Sequence, residues 1–312
     1  MDIVYLVILG LGIVVVTRYI LCEGIERLAE AIKLSPKTKG QILGYSTSMP
    51  ELVGTVSTAA LGLLGAGLWN VAASNIINLG LFITANVYYK QQRVLTQRKF
   101  LDETSFAVGS ILIPLVLVFG GGWDRSIWTA VGLLVFFVIY LFLDWRLNRE
   151  VPSGDPAQIS PVALPGERLA AEEKEENESS RADSSIKGGE GGHGDHEVGP
   201  SKGLQVALAL GMILAGLGAV VLLGRFLGTT AENVVKNIGI PQVGVGWIMG
   251  VVTSLPELTS FFSIYGTAKK KGKLGTQGDT QEALDNLAAS NMSNLGLIYP
   301  IGILIFIAAG YS

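Results

Sequence analysis

The chain has one cysteine, two histidines and few charges among its 312 residues, and each shortage removes a class of function. A lone Cys22 excludes an internal disulfide and leaves the compartment unmarked. Both histidines sit in "GGHGDHE", residues 191 to 197, outside every apolar run. With no Ser–His or paired-Asp arrangement, an intramembrane hydrolase has nothing to work with. Charged residues make up only 16% of the chain against 49% hydrophobic and 40 glycines, a balance that suits a polytopic membrane protein better than a soluble enzyme.

What is present is apolar length. Runs near the roughly 18 to 20 residues needed to cross a bilayer recur at 3–22, 41–64, 68–89, 104–121, 126–145, 203–223, 243–267 and 283–309. The expected fold is therefore all-α, with about eight transmembrane helices. The first run lacks a basic leading segment and a small-residue cleavage site before Glu23, so it reads as a spanning helix and not a signal peptide.

Between the fifth and sixth helices, residues 151–200 switch to Pro, Gly, Ser and Glu without any helical or strand period. This stretch reads as a disordered acidic linker, carrying 11 acidic against 4 basic residues, a net of −7. The global −3 thus hides a remainder of +4. His193, Asp195 and His196 lie within it and read as a solvated segment in preference to a metal site. The expected organisation is a first membrane repeat at 1–150, the linker at 151–201 and a second membrane repeat at 202–312.

Loop charge sets an orientation. Fourteen Lys and Arg residues follow the first, third, fifth and seventh helices, and Lys202 opens the sixth, whereas the opposite ends hold only Arg125, Arg225 and Lys236. Short basic loops stay on the cytoplasmic side. The amino terminus is expected outside and the linker in the cytoplasm.

Two motifs then recur. "GYSTSMPEL" at 44–52 returns as "GVVTSLPEL" at 250–258, identical at six of nine positions, and "NVAASNIINLG" at 70–80 returns as "NLAASNMSNLG" at 286–296, identical at eight of eleven. The chain is a duplicated unit. Five crossings lie between the second helix and the seventh, so the copies enter the membrane from opposite sides, the inverted-topology repeat of secondary transporters.

Each first motif places a carboxylate near mid-membrane, Glu51 and Glu257. That costs about 2.5 to 3.5 kcal/mol and marks a function by default. Pro50 and Pro256 cannot donate a backbone hydrogen bond, which frees carbonyl oxygen around Ser46, Thr47, Val252 and Thr253. Thr47 with Glu51, and Thr253 with Glu257, are i and i+4 on one face. Carboxylate, carbonyl and hydroxyl oxygens together are the chemistry of a hard cation such as Ca²⁺.

The second motifs extend the set with Ser74 and Asn78, and Ser290 and Asn294, again i and i+4. Counted back through the "GLLGAG" turn, Asn78 returns to the depth of Glu51. Asn78 and Asn294 are assigned to ion ligation, and Asn70, Asn75, Asn286 and Asn291 to helix packing. Asp285 is expected to face water, and Asp124 and Asp144 to sit at the membrane interface.

"TSMPEL" with "SNIIN", and "TSLPEL" with "SNMSN", resemble the two alpha-repeats of the sodium/calcium exchanger family within the cation/calcium antiporters. The likeness covers both repeats and the helices leading into them. It implies exchange of Ca²⁺ for Na⁺ by alternating access, in the plasma membrane, with the metal ligands Glu51, Thr47, Ser48, Ser74 and Asn78 from one repeat and Glu257, Thr253, Ser254, Ser290 and Asn294 from the other. The partners implied are Ca²⁺, Na⁺ and membrane lipid, with no nucleic acid, no enzymatic activity and no cofactor beyond the transported ions.

The chain departs from the family in four ways. Ala73 and Ala289 replace a usual glycine, which is expected to loosen helix contacts. Asn294 stands where some members have Asp. The Glu257-to-Asn294 gap is ten residues longer than its counterpart, an insertion placed in the basic loop after Lys269. The family usually has five helices in each half, against three here in the second. Abundant neutral oxygens favour Na⁺ over H⁺ as the driving ion. A proton-coupled divalent exchanger, a channel or a non-transporting cation-binding protein would use the same ligands.

Overall fold

The computed structural model describes residues 1–34, 36–92, 101–119, 125–147, 202–270, 272, 274 and 277–311. The linker, its two histidines and Asp124 lie outside the described residues. Those on either side of the linker form one compact unit. It is all helix, with no strand among the described residues.

Among the described residues eight helical segments follow one another: α1 (Asp2–Ile32), α2 (36–60), α3 (Leu64–Tyr88), α4 (Leu101–Phe119), α5 (Ile127–Leu147), α6 (202–238), α7 (Gln242–Lys270) and α8 (277–308). They correspond in order to the eight apolar runs. By length and composition six of them, α1, α3, α5, α6, α7 and α8, are long and apolar enough to cross a membrane, and α4 contributes a shorter apolar stretch, Thr104–Leu117. The protein is an integral membrane protein.

The α2 segment differs from its expectation. It starts earlier, with a polar half Pro36–Thr47, and breaks at Ser48 before resuming as Met49–Ala60. The α7 segment breaks at the equivalent Ser254, between Gln242–Thr253 and Leu255–Lys270. The cause is local. A proline two residues on cannot donate to the preceding turn, so Ser48 (φ −81°, ψ 1°) and Ser254 (φ −80°, ψ −1°) leave helical geometry.

Short links join the segments. Lys33 ends α1 in a left-handed conformation, and Gly62 (φ +79°) makes the tight turn between α2 and α3. That turn needs only residues 61–63, because Leu64 already begins α3. The ten-residue surplus of the second repeat is spread, with four residues lengthening the end of α7, three in the connection and three at the start of α8.

Polar content decides which helices are central. Of the apolar window in α6 only 17% is buried, against 67% in α8. The α6 segment lies at the periphery, and α8 runs through the middle. The centre is built by exchange between the halves: the first half of α2 packs on α8, and the first half of α7 packs on α3.

These contacts are close because Gly44 and Gly250 sit at them. A Cβ on Gly44 would stand 2.5 Å from the Asn286 carbonyl and 2.9 Å from the Ala289 methyl. One on Gly250 would stand 2.7 Å from the Ala73 methyl and 3.0 Å from the Asn70 carbonyl. The expectation that Ala73 and Ala289 loosen the packing is therefore corrected. Glycines on the facing helices make room for both methyls, and both alanines are fully buried. The repetition of the contact with the halves exchanged is the pseudo-twofold of the repeat.

One further expectation is corrected, that Asp285 faces water, and Asp144 gains a partner within the bundle. Asp285 is buried and accepts a hydrogen bond from Gln281 Nε2 (2.8 Å). Asp144 is buried between α5 and α2, where Gln41 donates to it. Each carboxylate thus accepts a hydrogen bond from a side-chain amide, on the same helix for Asp285 and from α2 for Asp144.

Candidate functional site

All ten residues singled out by sequence come to the centre of the bundle, where each is at most 1% exposed. They arrive on four elements: Thr47, Ser48 and Glu51 at the break in α2, Ser74 and Asn78 on α3, Thr253, Ser254 and Glu257 at the break in α7, and Ser290 and Asn294 on α8. The two breaks turn main chain and side chain inward together. Glu51 and Glu257 are both fully buried there.

Each carboxylate is surrounded by hydroxyls of both halves. Ser74 and Thr253 stand beside Glu51, in positions that close no hydrogen bond to either carboxylate oxygen. Thr47 and Ser290 stand beside Glu257, and here Ser290 Oγ donates to Oε1 at 3.0 Å. Ser290 is also joined to Ser48 Oγ (2.8 Å) and accepts from Asn78 Nδ2 (3.3 Å). On the other side Ser74 and Thr253 hydroxyls pair at 3.3 Å, and Thr253 donates to Asn70 Oδ1 at 3.2 Å.

Six buried oxygens of these residues have no hydrogen-bond partner: both of Glu51, Oε2 of Glu257, Oδ1 of Asn78, Oδ1 of Asn294 and Oγ of Ser254. Buried polar atoms are normally paired, and each exception asks for a reason. Five of the six can only accept. A cluster of unpaired acceptors around two carboxylates fits a cation. No group of three His, Cys, Asp or Glu occurs among the described residues. A donor set of two carboxylates and neutral oxygens suits hard ions such as Ca²⁺ or Na⁺ and not a transition metal.

Sequence reasoning left out the asparagines assigned to packing. Asn70 does more than pack: besides accepting from Thr253, its Nδ2 reaches the Glu51 carbonyl (3.5 Å). Asn75 and Asn291 bond across the two halves and to the predicted ligands Asn294 and Asn78. The signal was available, since all are identical in both copies of the second motif.

Comparison with known proteins follows the same two repeats. The family model described as sodium/calcium exchanger protein matches residues 3–146 and 208–311. The sodium/calcium exchanger MaX1 of Methanosarcina acetivorans is 32% identical over 142 residues, 45% of this chain, and the match spans only 39% of that relative's length. The putative antiporter CaxA of Alkalimonas amylolytica is 24% identical over 304 residues, covering 96% of this chain and 79% of the relative. A solved structure of the sodium-calcium exchanger NCX_Mj, soaked with Na⁺ and Sr²⁺, aligns with 99% of this chain and 87% of its own at 20% identity, with a TM-score of 0.49. Because the family model takes in both motif pairs and well over half of the residues, the chain belongs to the sodium/calcium exchanger family.

Proposed function

We propose that the protein is a secondary active transporter that exchanges Ca²⁺ for Na⁺ across the membrane by alternating access. The observation that carries this reading is the cluster of unpaired buried oxygens around Glu51 and Glu257, contributed by two halves of opposite topology. Glu51, Thr47, Ser48, Ser74 and Asn78, with Glu257, Thr253, Ser254, Ser290 and Asn294, are the proposed ligands. Family membership and the names of both relatives support exchange over a channel.

The charge balance supports antiport. Two carboxylates match one Ca²⁺ or two Na⁺, and uncompensated charge is costly in the membrane interior, so Ca²⁺ and the full Na⁺ load exclude one another. Na⁺ is the proposed driving ion because it needs several oxygens, and neutral ones abound here. A proton would need only a titratable group. In the cell the protein is placed in the plasma membrane, amino terminus outside and linker in the cytoplasm, in line with its loop charges.

The test is ⁴⁵Ca²⁺ uptake into proteoliposomes containing the 312-residue chain. An outward Na⁺ gradient at uniform pH is expected to drive Ca²⁺ inward against its own gradient. A pH gradient in choline buffer, with the potential clamped, is expected to drive none. Uptake under the pH gradient alone would replace Na⁺ by H⁺, and downhill movement without counter-flow would make the protein a channel.

A further inference from the structure

Four asparagines form a reciprocal clasp where α3 meets α8. Asn75 Nδ2 donates to the Asn291 carbonyl (3.2 Å), and Asn291 Nδ2 donates to the Asn75 carbonyl (3.2 Å). Asn294 Nδ2 donates to Asn75 Oδ1 (2.9 Å), and Asn78 Nδ2 donates to Asn291 Oδ1 (3.2 Å). Exchanging the halves maps each bond onto another, and all four residues are fully buried.

The clasp has only one consistent polarity. Main-chain carbonyls can only accept. Asn75 Nδ2 faces two of them, Asn291 and Ser110 (3.0 Å), so its amide cannot be turned over without setting oxygen against oxygen. Its Oδ1 is thereby committed as an acceptor, and the group that meets it must be the Nδ2 of Asn294. The same logic runs from the Asn75 carbonyl through Asn291 to Asn78. In both cases an amide N–H is bound on the clasp side, Asn78 Nδ2 also donating to Ser290 Oγ (3.3 Å), and the Oδ1 is left unpaired.

We infer that Asn75 and Asn291 are positioning residues for ion ligation: each fixes the amide of the ligand in the opposite half, Asn294 or Asn78, so that its Oδ1 stays unpaired and available to a cation. An asparagine free to rotate would present its donor to a cation half of the time, and repel it. The two asparagines act through their partners and touch no ion. The inference rests on the cation-site reading proposed above.

Crossed double-mutant cycles test it, with Ca²⁺ binding to the purified full chain in detergent measured by equilibrium ⁴⁵Ca²⁺ titration. Removing a residue that orients a metal ligand typically weakens affinity by about 10- to 100-fold. Asn75→Ala is expected to weaken Ca²⁺ binding by about tenfold in the parent chain and in the Asn78→Ala background. In the Asn294→Ala background it should add less than about twofold, because the residue it orients is gone. Asn291→Ala should show the reverse pattern, silenced by Asn78→Ala and not by Asn294→Ala.

A purely structural role would weaken binding alike in both backgrounds, so additivity in a chain that binds Ca²⁺ overturns the inference alone. Absence of Ca²⁺ binding by the parent chain overturns the cation-site reading and this inference with it. If Asn75→Ala is not recovered as a monodisperse protein, the Asn291 cycle carries the same crossed expectation, and additivity there is equally decisive.

Discussion

Around Glu257 the carboxylate receives a hydrogen bond from the serine of its own repeat, whereas around Glu51 the equivalent serine turns to a threonine and both carboxylate oxygens stay unpaired. The motifs are the same, so the difference must come from what surrounds them. Asn70 Nδ2 donates to the Thr55 hydroxyl, but the position equivalent to Thr55 is Phe261, and Asn286 is left with both amide atoms unpaired. Pro300 follows the second asparagine motif where the first has Thr84, and a π-helical stretch, Asn294–Ile298, precedes it. A proline inside a helix breaks the i→i−4 ladder, and π-bulges tend to lie at functional sites. A duplicated sequence thus yields equivalent ligands in unequal surroundings.

The largest expected effects do not distinguish the halves. Glu51→Gln and Glu257→Gln each remove a charged ligand and keep the volume, so each should abolish Ca²⁺ transport while leaving a folded protein. Near-normal ⁴⁵Ca²⁺ uptake by either would remove that glutamate from the site.

Stability comes next, and here the halves begin to differ. Gly44→Ala forces a methyl to within 2.5 Å of a main-chain oxygen, while Gly250→Ala meets a side-chain methyl first, at 2.7 Å. Overpacking of this kind costs about 1 to 3 kcal/mol. Thermal unfolding in detergent should show both variants destabilised, Gly44→Ala by more. Equal shifts would mean that α2 and α7 adjust equally well against their partner helices.

Serine exchange reads the polar asymmetry. Ser290 bonds Glu257, Ser48 and Asn78 at once, so Ser290→Ala should raise the Ca²⁺ concentration for half-maximal uptake by about tenfold, as expected when a hydrogen bond to a charged group of about 1.5 to 3 kcal/mol is lost. Ser74→Ala, whose hydroxyl makes only longer contacts at 3.3 and 3.5 Å, should raise it by about two- to threefold on the weaker neutral-bond scale. The reverse order would show that the hydrogen bonds seen here do not govern affinity.

The smallest change tests the π-helical stretch. Pro300→Ala restores a backbone donor and should make α8 more like α3, with an affinity change of about twofold or less. Hydrogen exchange at residues 294–298 is the sensitive measurement, and protection should rise to the level of residues 78–82. Unchanged exchange would assign the stretch to packing against Phe137, whose ring lies against Gly296.

Much of this protein was readable as letters. A carboxylate inside an apolar helix is expensive wherever the helix lies, so Glu51 and Glu257 stood out without coordinates. Repetition of both motifs marked Ser74, Asn78, Ser290 and Asn294 and implied two inverted halves. The prolines announced disturbance of the two helices around Ser46, Thr47, Val252 and Thr253, next to the breaks at Ser48 and Ser254, because the missing donor is a property of the residue itself. The all-helical membrane fold came from apolar length, which is local as well.

Pairing was not local, and only the folded chain settled it. The first motif of each half meets the second motif of the other, across more than 170 residues of sequence, so Ser290 rather than Ser74 joins Ser48, and Asn294 reaches Asn75. Sequence placed Asp285 facing water and Asp144 at the membrane interface. In the bundle both are buried, Asp285 bonded by Gln281 one turn earlier on α8 and Asp144 by Gln41 of α2, because burial depends on which helix arrives beside a side chain. The orientation of the four asparagine amides depends on main-chain carbonyls of the facing helix. A side chain's identity limits the bonds it can make, and tertiary packing selects among them.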